Sequence, residues 1–242
     1  MIQVKSDFKV IGFDADDTLW VNEPYYRETE DAFCDLLSDF QAPEAISREL
    51  FRTEMQNLEL YGFGIKAFML SLVETALNVS EYKVAPATIR EIIQLGKAQL
   101  NKPIEILEGV RTVLEELCRL DYTLIVATKG DLLDQERKLR KSNLEPYFHH
   151  IEIMSDKKES DYLKLLKHLE IRPEEFLMVG NSMKSDIYPV LNIGGYAIHI
   201  PFHITWQHEE IQDDEMDHDH FQMVEHISLV PELLSNGVNH IP

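Results

Sequence analysis

Residues 8–18 read Phe8-Lys9-Val10-Ile11-Gly12-Phe13-Asp14-Ala15-Asp16-Asp17-Thr18. The apolar run through Phe13 is dense in β-formers and reads as a buried strand of a parallel sheet. It stops abruptly at Asp14, Asp16 and Asp17. Carboxylates resist burial, so three of them directly after such a strand belong at its carboxyl end, the edge where open α/β sheets bind ligands. Crowded carboxylates repel unless a cation or a shifted protonation compensates. A hard divalent ion with oxygen ligands is the simplest compensation, and Mg2+ is the usual one beside phosphate. The bland alternative is a turn, since Asp and Thr also cap helices and start turns.

The rest of the chain decides between the two. From Asn22-Glu23-Pro24 to about residue 101 the periodicity is helical, with the cleanest stripe at Ile65, Phe68, Met69, Leu72, Val73, Ala76 and Leu77. Prolines at positions 24, 43 and 86 and the Tyr61-Gly62-Phe63-Gly64 turn divide it into about four helices. Beyond Pro103 strands and helices alternate. Strands are expected at 123–127, 150–154, 176–179 and 196–200, and helices at 110–120, 132–142, 161–169 and 187–192. Alternation of this kind gives a parallel sheet with right-handed crossovers. The first strand must rejoin that sheet across the helical block. The expected fold is therefore α/β: a Rossmann-like parallel sheet with helices on both faces, formed by residues 1–21 and 102–242, plus a small all-helical domain at 22–101. Phe221–Ile227 is expected as a last edge strand, with a short helix from Pro231.

Four strand ends then carry polar groups suited to one reaction: Asp14, Asp16 and Thr18; Thr128 and Lys129; Lys157 and Lys158; Asn181 and Asp186. A carboxylate attacks phosphorus, a hydroxyl and an ammonium hold the equatorial oxygens, and a cation neutralises charge. Singly, each is ordinary; the recurrence on successive strand ends is the signal.

On these residues the chain resembles the haloacid dehalogenase superfamily, and more narrowly its phosphatases. Asp14-Ala15-Asp16-Asp17-Thr18 is similar to the family's D-x-D-x-T, Thr128 to its second motif, a lysine before the 162–166 helix to its third, and Gly180-Asn181-Ser182-Met183-Lys184-Ser185-Asp186 to its fourth. The helical block falls where one class of members inserts a cap. The resemblance implies Asp14 as nucleophile and Asp16 as acid and base. It implies phosphate binding by Thr128 and Lys157, with Lys129 and Lys158 as further candidates. It also implies Mg2+ held by Asp14, the Asp16 carbonyl, Asp186 and Asn181. Two departures stand out. The fourth motif usually begins Gly-Asp, and here it is Gly-Asn, which supplies no charge. The third offers adjacent lysines; the distance to Tyr162 favours Lys157, with Lys158 as its rival.

The expected activity is hydrolysis of a small phosphorylated metabolite through an aspartyl-phosphate. A phosphomutase and a non-catalytic regulatory member are the alternatives. A carbon–halogen hydrolase would not need the acid at position 16. With 43 acidic against 23 basic residues and a net charge of −20, nucleic acid and anionic lipid are discounted as partners. No apolar run is long enough to span a membrane. Cys34 and Cys118 are expected as buried free thiols in a cytoplasmic monomer or homodimer. The acidic, histidine-bearing stretch from His208 to His220 is expected to be an exposed loop.

Overall fold

In the computed structural model, residues 8–209 and 218–235 are described. The chain runs β1 (Val10–Phe13), α1 (Glu23–Leu36), α2 (Pro43–Tyr61), α3 (Ile65–Val79), α4 (Pro86–Leu100), α5 (Val110–Arg119), β2 (Thr123–Lys129), α6 (Leu132–Ser142), β3 (His150–Met154), α7 (Glu159–His168), β4 (Phe176–Gly180), α8 (Tyr188–Asn192), β5 (Tyr196–His199), β6 (Phe221–Met223) and α9 (Val230–Ser235). The six strands form one sheet in the order β3-β2-β1-β4-β5-β6. β1 pairs in parallel with both β2 and β4, β4 with β5, and β5 with β6. This is a Rossmann-like α/β sheet. The direction of winding reverses at β1, between β2 and β4, the place where such sheets open a crevice.

The two-residue period of the strands explains the layers. Ile11, Phe13, Leu124, Val126, Leu177 and Val179 point to one face, where Val110, Val113, Leu114 and Leu117 of α5 cover them with Leu234 of α9. Val10, Ile125, Ala127, Phe176 and Met178 point to the other, under Tyr162, Leu165 and Leu166 of α7 and Val190 of α8. Gly12 lies on that second face without a side chain. A Cβ there would stand 2.7 Å from the Phe176 ring, so the glycine makes room for a fully buried aromatic.

The chain packs as two compact units: the described parts of Met1–Val21, Ile104–Thr128 and Lys138–Pro242, and the unit of Asn22–Pro103 with Lys129–Arg137. The second is built on α1 to α4. Phe33, Leu37, Ile46, Leu50, Ile65, Phe68, Leu72, Ala76 and Ile92 make its core. Proline opens α1, α2 and α4, where its missing N–H is not needed. Gly62 and Gly64, at φ 69° and 104°, turn the chain from α2 into α3.

Several details differ from expectation. The last strand is only three residues long, and a short 3-10 turn at Ile227–Leu229 intervenes before α9. The helix expected at 187–192 is preceded by a π-helical turn, Met183–Ile187. Cys34 is buried, but Cys118 is exposed; both are free. Cys118 falls in the last turn of α5, at the margin of the stripe formed by Val110, Val113, Leu114 and Leu117. Of the histidine-bearing stretch, 210–217 lies outside the described residues; beyond it His218 is exposed and His220 stacks on Tyr196 at 3.9 Å. Among the described residues no helix is long and apolar enough to cross a membrane.

Candidate active site

Asp14 is the first residue past β1, and its N–H still donates to the Val179 carbonyl at 2.9 Å. The sheet thus carries a carboxylate to the reversal point and leaves it only 7% exposed. Two groups reach it from other parts of that edge. Lys157, from the turn after β3, places Nζ 2.5 Å from Asp14 Oδ1 and 2.6 Å from Asp186 Oδ1. Thr18 Oγ1 donates to Asp14 Oδ2 at 3.2 Å.

Asn181, after β4, closes the other side. Its inward end meets Asp14 Oδ2 and the Asp16 carbonyl, which are acceptors, together with the Thr18 hydroxyl. The amide nitrogen therefore belongs there, and it donates to these atoms at 3.3, 3.2 and 3.2 Å. His199 Nε2, at the end of β5, donates to the Asn181 carbonyl at 2.9 Å.

Asp186 is held by backbone. Its Oδ2 accepts from the Ser182 N–H at 3.0 Å, and its own N–H donates to the Ser182 carbonyl at 2.8 Å. The carboxylate lies so close to Gly180 that a Cβ there would come within 2.2 Å of Oδ2. Tyr162 of α7 supports the turn, its hydroxyl donating to the Ser185 carbonyl at 3.0 Å.

Asp16 is set apart from this cluster. Trp20 Nε1 donates to its Oδ1 at 2.7 Å, and Lys138 Nζ of α6 lies 2.9 and 3.1 Å from its two oxygens. The tight loop that carries it is closed by Asp17 N–H to Trp20 carbonyl at 2.8 Å, with Asp17 at φ 63°. Trp20 also forms an antiparallel bridge to Ile106, which anchors the loop to the strand-like segment before α5.

Thr128 is 2% exposed. Phe13 pairs with Val126, so the same register carries Thr128 level with Ala15, beside the Asp14 turn. The adjacent lysines are separated clearly. Lys157 is buried against Asp14 and Asp186, whereas the Lys158 side chain is 71% exposed and pairs with Asp156 at 2.9 Å. Lys129 directs its ammonium onto the Phe63 ring, 4.2 Å from the centroid. The geometry therefore assembles Asp14, Thr18, Lys157, Asn181 and Asp186, and gives Lys158 and Lys129 other partners. Lys138, Trp20, Tyr162 and His199 have no motif that announces them.

Burial is the largest influence on the Asp14 carboxyl and pushes it up to about 7, with Lys157 opposing and Asp186 and Asp16 reinforcing. Burial alone would lower Lys157. The Asp14 and Asp186 charges outweigh it and hold the ammonium above the ordinary lysine range. The buried group thus stays a cation shared by two carboxylates. Carboxylate oxygens of Asp14 and Asp186 and the Asp16 carbonyl form an oxygen-rich set of the kind Mg2+ takes, and Asn181, which turns its amide nitrogen toward them, would join it only with the amide rotated to present its oxygen. The residues fit such an ion.

A family model described as haloacid dehalogenase-like hydrolase matches residues 8–193, more than half of the chain. A solved haloacid dehalogenase-like family hydrolase from Xanthomonas campestris is 34% identical, with a TM-score of 0.86, over 96% of this chain and 92% of that one. A 2-haloacid dehalogenase from Pseudomonas syringae superposes with a TM-score of 0.63 at 21% identity, over 95% of this chain and 99% of that one; that is a likeness of fold. Over 92 residues the chain is 36% identical to a glyceraldehyde 3-phosphate phosphatase of Pyrococcus abyssi, a match that spans 36% of this chain and 38% of the relative's length.

Proposed function

Because this chain belongs to the haloacid dehalogenase-like hydrolases, we propose that it is a Mg2+-dependent phosphatase acting on a small phosphorylated metabolite. The observation that carries the reading is the Asp14 carboxylate held at a strand end by a buried lysine that it shares with Asp186. A nucleophile must be fixed and a phosphoryl group must meet fixed positive charge. Lys157 meets both needs.

Asp14 attacks phosphorus and forms an aspartyl-phosphate as the P–O bond to the leaving group breaks. Asp16 gives its proton to the departing oxygen, then takes one from the water that attacks the acyl phosphate, which restores Asp14 and releases phosphate. The Thr128 hydroxyl and the Lys157 ammonium bind phosphoryl oxygens. Asp14, the Asp16 carbonyl, Asn181 and Asp186 would hold Mg2+, which supplies positive charge for the phosphoryl oxygens. Residues 1–21 and 102–242 act as the catalytic domain, and 22–101 as a cap that limits the size of the substrate. Two free cysteines suit a reducing, cytoplasmic setting.

The test is phosphate release from a panel of phosphomonoesters, with glyceraldehyde 3-phosphate first because relatives carry that name. Release should stop in excess chelator, return with Mg2+ and vanish in Asp14→Asn. Equal turnover with and without the cation would refute the reading.

A further inference from the structure

A short 3-10 turn at Gln207–Glu209 reaches back across the loop that follows β4. Glu209 Oε2 accepts from two hydroxyls at once, Ser182 Oγ at 2.5 Å and Ser185 Oγ at 2.6 Å. Ser182 Oγ in turn accepts the Ser185 N–H at 3.1 Å, while the Ser182 N–H donates to Asp186 Oδ2. Lys184 Nζ donates to the His208 carbonyl at 2.7 Å and ties the same segment from the other side. The loop that presents Asp186 is therefore cross-braced by one carboxylate from a distant part of the chain.

The brace acts on an unusual turn. Met183–Ile187 is π-helical, a form that is rare and favours functional sites. It packs about one residue more per turn than an α-helix would. Relaxation into a continuous α-helix with α8 would swing Asp186 round the axis by about 100°, away from Lys157. Hydrogen bonds to a charged acceptor are the strong ones, and here two of them tie the residue that opens the turn to the third residue within it.

We propose that Glu209 is a positioning residue for Asp186. By accepting from Ser182 and Ser185 it keeps the π turn wound, and so keeps the Asp186 carboxylate against Lys157. The inference rests on the catalytic reading above, with Asp186 acting in the site.

The test compares the parent protein with Glu209→Ala, Glu209→Gln and the pair Ser182→Ala/Ser185→Ala. Two readouts are taken: hydrogen exchange of the segment 181–187, and kcat and KM for an aryl phosphate. Glu209→Ala should speed exchange across 181–187 about ten-fold, the loss of one or two net hydrogen bonds. It should lower kcat by a similar factor and leave KM within about two-fold. Glu209→Gln keeps an oxygen that both hydroxyls can reach and should recover most of both. Adding Glu209→Ala to the serine pair should change nothing further, since the three act as one unit. If Glu209→Ala does not fold, Ser185→Ala alone answers the question. Unchanged exchange, or faster exchange with unchanged kcat, overturns the proposal. A parent without phosphatase activity refutes the catalytic reading, and exchange across 181–187 then still decides whether Glu209 winds the turn.

Discussion

Lys157 Nζ and Asp186 Oδ1 are 2.6 Å apart, with both side chains only 1% exposed. With Asp14 they form a buried triplet of two anions and one cation. Removing the cation leaves two carboxylates with no countercharge. Lys157→Met should therefore destabilise the fold by about 3–5 kcal/mol, the usual cost of breaking a buried pair from one side. Asp14→Asn leaves a balanced Lys157–Asp186 pair and should abolish turnover while leaving the melting temperature equal or higher. Thermal melts beside activity assays check both; a large loss of stability in Asp14→Asn would contradict this account.

Asp16 has partners of its own, Trp20 and Lys138, so its loss should not disturb the triplet. Asp16→Ala is expected to lower turnover by about two to four orders of magnitude, the usual share of acid–base catalysis. An activated aryl phosphate, whose leaving group needs little protonation, should still phosphorylate Asp14 in this variant. Mass spectrometry of trapped protein locates the phosphoryl group, and finding it on any other residue rules out the assignment.

Asn181 supplies no charge at a position where the fourth motif usually carries Asp. Asp186→Asn should raise the Mg2+ concentration needed for half-maximal rate far more than Asn181→Ala does, because Mg2+ favours anionic oxygen. Asn181→Asp should lower it. A Mg2+ titration of the three variants, run beside their melts, distinguishes this from a role in loop order alone, which would move the melts and not the titration.

Glu54, on α2, is half-buried, and its carboxyl is pushed up to about 8, chiefly by burial and then by Glu30 and Glu23, with Arg27 opposing. The folded state thus holds a proton that the unfolded chain releases near 4.5. Below the unfolded value both states are protonated and the linkage costs nothing; the cost to the folded state grows as pH rises from 4.5 to about 8 and persists in full above that. Glu54→Gln keeps the neutral form permanently. Its melting temperature should match that of the parent near pH 4 and exceed it above pH 8. Parallel melting curves across that range would show that Glu54 is already ionised.

Much of the core was legible because its signals are local. The run Val10–Phe13 followed by Asp14 needs only burial and charge to be read. The alternation after Pro103 was equally plain, and every strand expected there forms. What escaped depends on contacts across the fold. Lys157 and Lys158 are the same residue type side by side; Lys158 takes the N-cap position of α7 and faces solvent, while Lys157 turns inward. Nothing in two adjacent lysines states which way each will turn. The π turn at Met183–Ile187 lies ahead of the helix expected at 187–192, and Glu209, which reaches Ser182 and Ser185, comes from outside the segment. Lys138 lies 122 residues from Asp16, and Glu209 lies 24 from Ser185. Neither belongs to a recurring spacing.

The place of β1 also governs how the molecule is made. Val10 sits beside Thr123 on one side and Phe176 on the other. The central strand is thus the first of the six to leave the ribosome, and its first neighbour, at Thr123, follows only after the whole helical block. The helices between Glu23 and Leu100 pack chiefly on one another and can assemble while the strand waits. Joining ends so far apart along the chain is entropically slow. A nascent chain that has passed Phe13 but not reached Thr123 carries an apolar edge with nothing to cover it, the kind of segment that chaperones bind.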